Sequence, residues 1–408
     1  MISPVRRIWT TAALILAAAM PAGPIWAGFT DTAPQGVFVV DENVMLSSIK
    51  GHWHDDGELG SLIEPVELYE PGGGVQGTLL ADAEATYDVL VSMLMYGVTD
   101  SVSVFVGIPL VLKTTVDPNL SWIPGDYSPT LGRPYSEDDF WAWAGSMGQP
   151  RPGYWEGNFN TLSDIILGAR WRFSDMMPAI PEGLRLALSV FGALPTGEPP
   201  DPEEIVSAGT KSWNLHSQGE IGFHLSADYR LDQLLGGRLT LGLDAFYEVF
   251  LPQTDYSSTG AVHPLLLNHR PYVGETYRMD PGDFAGIALA TELVAIRGPT
   301  FDTWLTRRAP GMAGSQPPLL KLTLSYCFTG VGQSVWYSDS ELWNWEQEQF
   351  WGPGYKNILS ARADMSLLRL GVPLDLNLSY KDLTLIPGRN VRAPRILSFG
   401  LRVPLKFW

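Results

Sequence analysis

Six histidines carry most of the reactive chemistry this chain could offer: His52, His54, His216, His224, His263 and His269. Around His224, Glu220, Ser226 and Asp228 recur at even spacings, so an extended backbone puts all four side chains on one face. A serine, an imidazole and a carboxylate are the parts of a nucleophilic relay. On a single strand, however, positions i and i+4 lie ~13 Å apart, too far to hydrogen-bond without a second strand. The spacing therefore reads as a polar network. His52-x-His54, followed by Asp55 and Asp56, offers two imidazoles and carboxylates to a divalent metal, although a solvated loop edge explains the same residues. There is no GxSxG, HExxH or Walker loop, and Gly72-Gly73-Gly74 has no adjacent helix to complete a phosphate cradle. Asp280-Pro281-Gly282-Asp283 has the form of a tight turn and lacks the spacing of a calcium loop. These features point away from an enzyme and imply no cofactor and no metal.

A larger set of charges shares the inward face of alternating segments: Asp164, Arg170, Arg172, Glu220, Asp228, Arg230, Asp244, Glu248, Glu292, Lys321, Arg362, Asp364, Asp375, Lys381, Arg402 and Lys406. With His224, these are the lumen-facing candidates. Mixed signs imply cross-strand ion pairs, and charges that meet a wet lumen contribute little each. On that basis Asp244→Asn is expected to be tolerated. Cys327, the single cysteine, alternates with Lys321, Thr323 and Ser325 and reads as a small packed thiol; it excludes an intramolecular disulfide.

The elements that position these residues are strands. Leu239, Leu241, Leu243, Ala245, Tyr247 and Val249 alternate with Thr240, Gly242, Asp244, Phe246, Glu248 and Phe250, giving one face fit for lipid. Similar alternation marks 101–111, 162–173, 184–194, 220–231, 319–328, 359–367, 372–381 and 396–407, and a weaker form marks 42–54, 83–96 and 284–296. The segments predict an all-β, antiparallel up-and-down transmembrane β-barrel of about 12 strands, with 14 possible if the first hundred residues hold a further hairpin. A soluble sandwich or lipocalin-like barrel shares the period. Three features favour the membrane: nearly uncharged outward faces, glycine-rich inward faces and a terminal Phe407-Trp408.

Connection lengths alternate too, long after odd strands and short after even ones. Arg297–Pro318 is an unexplained exception. Outer-membrane barrels keep short turns in the periplasm, so both termini are expected there. Arg6 and Arg7 ahead of the apolar run from Ile8 to Met20 resemble a secretory signal, short of the ~20 residues that span a bilayer. The expected organisation is a signal peptide at 1–27 and one barrel domain at 28–408, located in the outer membrane. The net charge is −17, from 27 basic and 44 acidic residues, which argues against nucleic acid as a partner. The expected partners are outer-membrane lipid and a small solute.

Tyr96-Gly97-Val98-Thr99-Asp100 with Gly107-Ile108-Pro109-Leu110, then Ser163–Phe173, Leu194-Pro195-Thr196-Gly197-Glu198, Gly209-Thr210 and Gly388-Arg389-Asn390, resemble in order the motifs of the meta-pathway phenol-degradation outer-membrane proteins. The resemblance spans roughly residues 75–408. It implies a transporter-type barrel and brings no agreed site residues. Together, barrel and resemblance suggest passive passage of small hydrophobic or aromatic solutes. The alternative is a structural or surface barrel, or the membrane part of an envelope complex. Tryptophans crowd two long connections: Trp122, Trp141, Trp143 and Trp155 in one, Trp336, Trp343, Trp345 and Trp351 in the other. They could capture an aromatic solute, or equally anchor the loops at the bilayer interface.

Overall fold

The computed structural model describes residues 29–62, 65–69, 74–125, 127–128, 131–146, 151, 153–157, 160–197, 219–251, 256–257, 276–280, 282–298, 317–333, 335–337 and 353–405. Twelve long strands form one closed antiparallel barrel. In chain order they are β1 (Phe38–Trp53), β2 (Glu84–Thr99), β3 (Val102–Asp117), β4 (Ile165–Trp171), β5 (Leu184–Leu194) and β6 (Glu220–Leu231). The second half comprises β7 (Leu239–Phe250), β8 (Phe284–Ile296), β9 (Leu320–Val331), β10 (Gly354–Ser366), β11 (Asp375–Asp382) and β12 (Val391–Leu405). Each strand pairs with its chain neighbours. The first also pairs with the last, Phe38 opposite Leu405, and this seam removes every open edge.

Period-two sequence becomes two faces. Leu241, Leu243, Phe223, Leu225, Ile287, Leu289, Leu324 and Leu378 stand exposed on the outside, which is the lipid side of a membrane barrel. Outward aromatics mark both rims: Trp171 and Tyr229 at the end holding the start of β1, Tyr247 and Tyr380 at the other. Several strands outrun the alternation. The third continues to Asp117, and the first two reach further toward the end where β1 begins. The fourth starts later than expected, because Ser163 and Asp164 interrupt the wall between it and the Thr161–Leu162 pairing with β3. Leu367 belongs to a 3₁₀ turn, Leu367–Leu370, that ends on Gly371 at φ 85.

Beyond the far rim, Val66–Tyr69, Val75–Ala81 and Leu120–Pro124 form a small separate sheet. The helix α1 (Glu137–Ser146) packs on it. Ser136 caps this helix: its hydroxyl accepts from the Asp139 N–H, while the Asp139 carboxylate accepts from the Ser136 N–H and hydroxyl.

Candidate functional site in the barrel interior

The inward face is not uniformly polar. Phe105, Phe191, Phe246 and Phe284 project inside, and the first three find room because neighbouring strands carry glycine. A Cβ at Gly222 would stand 2.2 Å from the Phe191 ring, one at Gly286 2.3 Å from Phe246, and one at Gly168 2.3 Å from Phe105. Glycine on these strands thus serves as a seat for a ring from the next strand. The Phe250 and Phe284 rings meet edge to face at 4.8 Å, so apolar rings run along β7 and β8.

Set among these rings is a polar cluster built by register. Ser226 pairs with Asp244, and His224 pairs with Phe246. The Asp244 carboxylate reaches both neighbours on β6, bonding His224 Nδ1 at 2.7 Å and accepting from the Ser226 hydroxyl at 2.5 Å. The His224 ring stacks on Phe246 at 5.4 Å, and its Nε2 lies 3.8 Å from Glu248. Serine and imidazole therefore both bond the same carboxylate. No Ser–His contact forms, which removes the geometry a nucleophilic relay needs. At 1% exposure, His224 is a buried network member. Asp244 is correspondingly no solvated lumen charge: two buried partners depend on it, so the expected tolerance of Asp244→Asn is revised.

Other interior charges pair across strands or, for Arg362 and Asp364, along one strand. Arg402 of β12 donates to Asp41 of β1 at 2.8 Å, Arg362 donates to Asp364 at 2.5 Å, and Lys321 donates to Glu292 at 3.1 Å. Arg170 donates to Ser189 and to the Asp31 carbonyl, and Asp164 accepts from the Gly197 N–H at 2.9 Å. Asp375 and Glu220 also face inward, half-buried. Arg172 and Arg230 are corrections to the lumen set. Arg172 bonds Asp175 of the turn after β4, and Arg230 bonds Asp232, both at the rim where the strands end. The alternation carries on to a strand's last residue, but the enclosed volume does not.

A feature no sequence pattern indicated lies at the end holding the start of β1. Residues 29–37 enter the barrel. Thr30, Ala33 and Val37 are fully buried. The Asp228 carboxylate accepts from the Thr30 N–H at 2.8 Å and from its hydroxyl at 2.6 Å, and the Ala33 N–H donates to Ser103 Oγ at 2.8 Å. Asp31 faces Arg185 at 3.6 Å. The segment passes so close to β2 that a Cβ at Gly97 would stand 2.0 Å from the Pro34 carbonyl oxygen. Gly36 and Gly97 also share a backbone bond of 2.8 Å. Ala33 and Val37 pack with Val39, Met95, Phe105 and Leu368, the last from the 3₁₀ turn, at this mouth. The signal available in sequence was Thr30-Asp31-Thr32, small polar residues just ahead of the first strand.

Outside the barrel, Trp122 stacks on Phe140 at 5.4 Å and its indole N–H donates to the Tyr135 carbonyl. Trp141 donates to Glu137, and Trp143 keeps 38% exposure. The side chains of Trp155 and Trp336, and all of Trp343, Trp345 and Trp351, lie outside the described residues, as do residues 1–27, His216, His263, His269, Lys406 and the terminal aromatic pair. His52 and His54 meet edge to face, centroids 5.3 Å apart, while Asp55 accepts from Arg389. Among the described residues, no three His, Cys, Asp or Glu side chains converge as a metal site would require. Cys327 faces inward, with its thiol 3.6 Å from the Thr329 hydroxyl.

No protein-family model and no curated protein matches the chain. Among solved structures, an outer-membrane channel from Pseudomonas putida F1 is 12% identical, over 94% of this chain and 100% of that one, with a TM-score of 0.52. The CymD monoaromatic hydrocarbon channel is 8% identical over 100% and 98% of the two chains, at TM-score 0.34. The translocator domain of the autotransporter NalP from Neisseria meningitidis is 9% identical over 92% and 90%, also at 0.34. At these identities the first likeness is one of fold.

Proposed function

We propose that this outer-membrane barrel is a passive channel for small hydrophobic or aromatic solutes. The observation that carries it is the line of interior rings, Phe105, Phe191, Phe246, Phe250 and Phe284, on a face that water-filled porins keep polar. Most of these rings are buried against their neighbours, so they make the inner wall apolar between charges that are paired with one another. The Pseudomonas channel with the same fold and the resemblance to the phenol-degradation family support the same reading. Residues 29–37 then act as a gate at the periplasmic mouth, and the Trp122–Trp143 layer covers the extracellular one. Capture of solute at the loops falls to Trp143, which keeps 38% exposure, more than to the half-buried Trp122.

Planar-bilayer recording of the refolded barrel tests this. Small conductance steps, interrupted reversibly when benzyl alcohol is added, are expected. A barrel that stays electrically silent, and blocks efflux of small aromatics from vesicles even after residues 29–37 are deleted, is a structural element of the envelope and no channel.

A further inference from the structure

Interior acids crowd β6 to β8, with Glu220, Asp228, Asp244, Glu248 and Glu292, whereas β9 to β12 carry Lys321, Lys356, Arg362, Lys381, Arg392 and Arg402 alongside Asp364 and Asp375. Three of these bases stand within ion-pair distance of an acid: Lys321 of Glu292, Arg362 of Asp364 and Arg402 of Asp41. Lys356 lies over the Phe284 ring, 4.8 Å from its centroid, with Glu248 and Glu220 the nearest acids acting on it. Lys381 differs. Among the described residues, the charged and titratable groups that act on it are Cys327, Arg362 and Lys356, none of them a carboxylate.

Its surroundings follow from register. Lys381 pairs with Ser360 on one side and with the fully buried Ile396 on the other. Ser360 pairs in turn with Ser325, and their hydroxyls meet at 2.5 Å. The exposed Leu378 and Tyr380 put the opposite face of the strand toward lipid, so the ammonium is directed inward. It is nonetheless only half-buried, so it borders open space within the barrel. A half-buried ammonium whose charged and titratable neighbours are cations and a thiol is costly unless an anion or water completes it. Cations facing a pore are the usual device for attracting anions.

We propose that Lys381, with the Ser360 hydroxyl beside it, is an anionic-headgroup subsite of the lumen, and that the solutes admitted include aromatic carboxylates. This rests on the channel reading above and adds to it a substrate class. A carboxylate would take the ammonium and the serine hydroxyl, while its ring extends away from β11 into the lumen. The acids crowded on β6 to β8 orient such a solute, because they repel its charged end.

The test compares benzoate with benzyl alcohol, which share a ring and differ in charge, as blockers of ionic current through the refolded full-length barrel. Loss of a charge-assisted contact weakens binding about tenfold or more. In Lys381→Gln the half-blocking benzoate concentration should therefore rise about tenfold while that for benzyl alcohol stays put, and Lys381→Arg should restore it. Lys381→Met serves if the glutamine variant does not refold. Equal benzoate responses in wild type and variant overturn the subsite. So does a loss shared by both solutes, which would report a general change of the lumen. Wild-type response to benzyl alcohol alone sinks the headgroup site and leaves the channel standing; no response to either removes both.

Discussion

The docking of residues 29–37 inside the barrel is the feature most open to perturbation, and Asp228 is the place to apply it. Its carboxylate holds the Thr30 N–H at 2.8 Å and the Thr30 hydroxyl at 2.6 Å, both buried. Hydrogen bonds to a charged group contribute ~1.5–3 kcal/mol each, and removing the acceptor also leaves a buried N–H unsatisfied. Asp228→Ala should therefore shift the docked segment toward release by ~3 kcal/mol, on the order of a hundredfold in population. Thr30→Val removes the hydroxyl and keeps the N–H, so it should shift the same balance by about 1.5 kcal/mol, or roughly tenfold. The double variant should add nothing to the Asp228→Ala effect, because the hydroxyl has no partner left. Single-channel recording reads the open fraction. Independently, a thiol placed by Thr32→Cys in a Cys327→Ser background reads accessibility to a water-soluble maleimide. Both should rise in the order wild type, Thr30→Val, Asp228→Ala. If Asp228→Ala leaves both conductance and labelling rate at wild-type values, the segment is no gate held by this contact.

Three further outcomes follow from the same geometry. Arginine at Leu243 or Phe223, 43% and 44% exposed on the lipid face, should destabilise the barrel by about 2–4 kcal/mol each, seen as lost folding yield into vesicles; yields equal to wild type would reverse inside and outside. Asp244→Asn, which strips the charge that His224 and Ser226 share, should cost ~1–3 kcal/mol in urea titrations of the vesicle-folded barrel, and an unchanged midpoint would show the cluster to be solvated. At α1, the Arg133 guanidinium and the Ser136 donors hold the Asp139 carboxyl well below the usual carboxylate range. A depressed folded value means that this contribution is complete above the unfolded value near 3.8 and is lost as pH falls through the folded one. Fluorescence of Trp141 and Trp143 should accordingly change on acidification below about pH 4, and Asp139→Asn should remove that pH dependence; a profile identical in the variant would assign the change to another group.

Much of this molecule is local and therefore legible along the chain. In an extended backbone successive side chains point to opposite faces, so Leu239 to Val249 announce a lipid face, and Asp244, Phe246 and Glu248 an inward one, before any partner strand is known. Closure follows as well, since lipid satisfies no open edge, and twelve alternating segments suffice for it. What the inward residues do to one another is not local. That Asp244 meets both His224 and Ser226, that Phe191 falls on Gly222, and that Arg402 finds Asp41, 361 positions away at the seam, are consequences of register. Arg172 and Arg230 share the inward phase yet end at the rim, because phase carries no information about height in the barrel. Residues 29–37 alternate with nothing and form no strand. Their place inside the barrel is decided by Asp228, Ser103 and Gly97, three acceptors and clearances that only the closed barrel brings to one mouth. Lys381 shows the same division: the sequence by itself determined that it points inward, and tertiary structure alone decided that its neighbours would be Lys356, Arg362 and Cys327, because a partner across a barrel wall is chosen by shear and pairing and not by spacing in the chain.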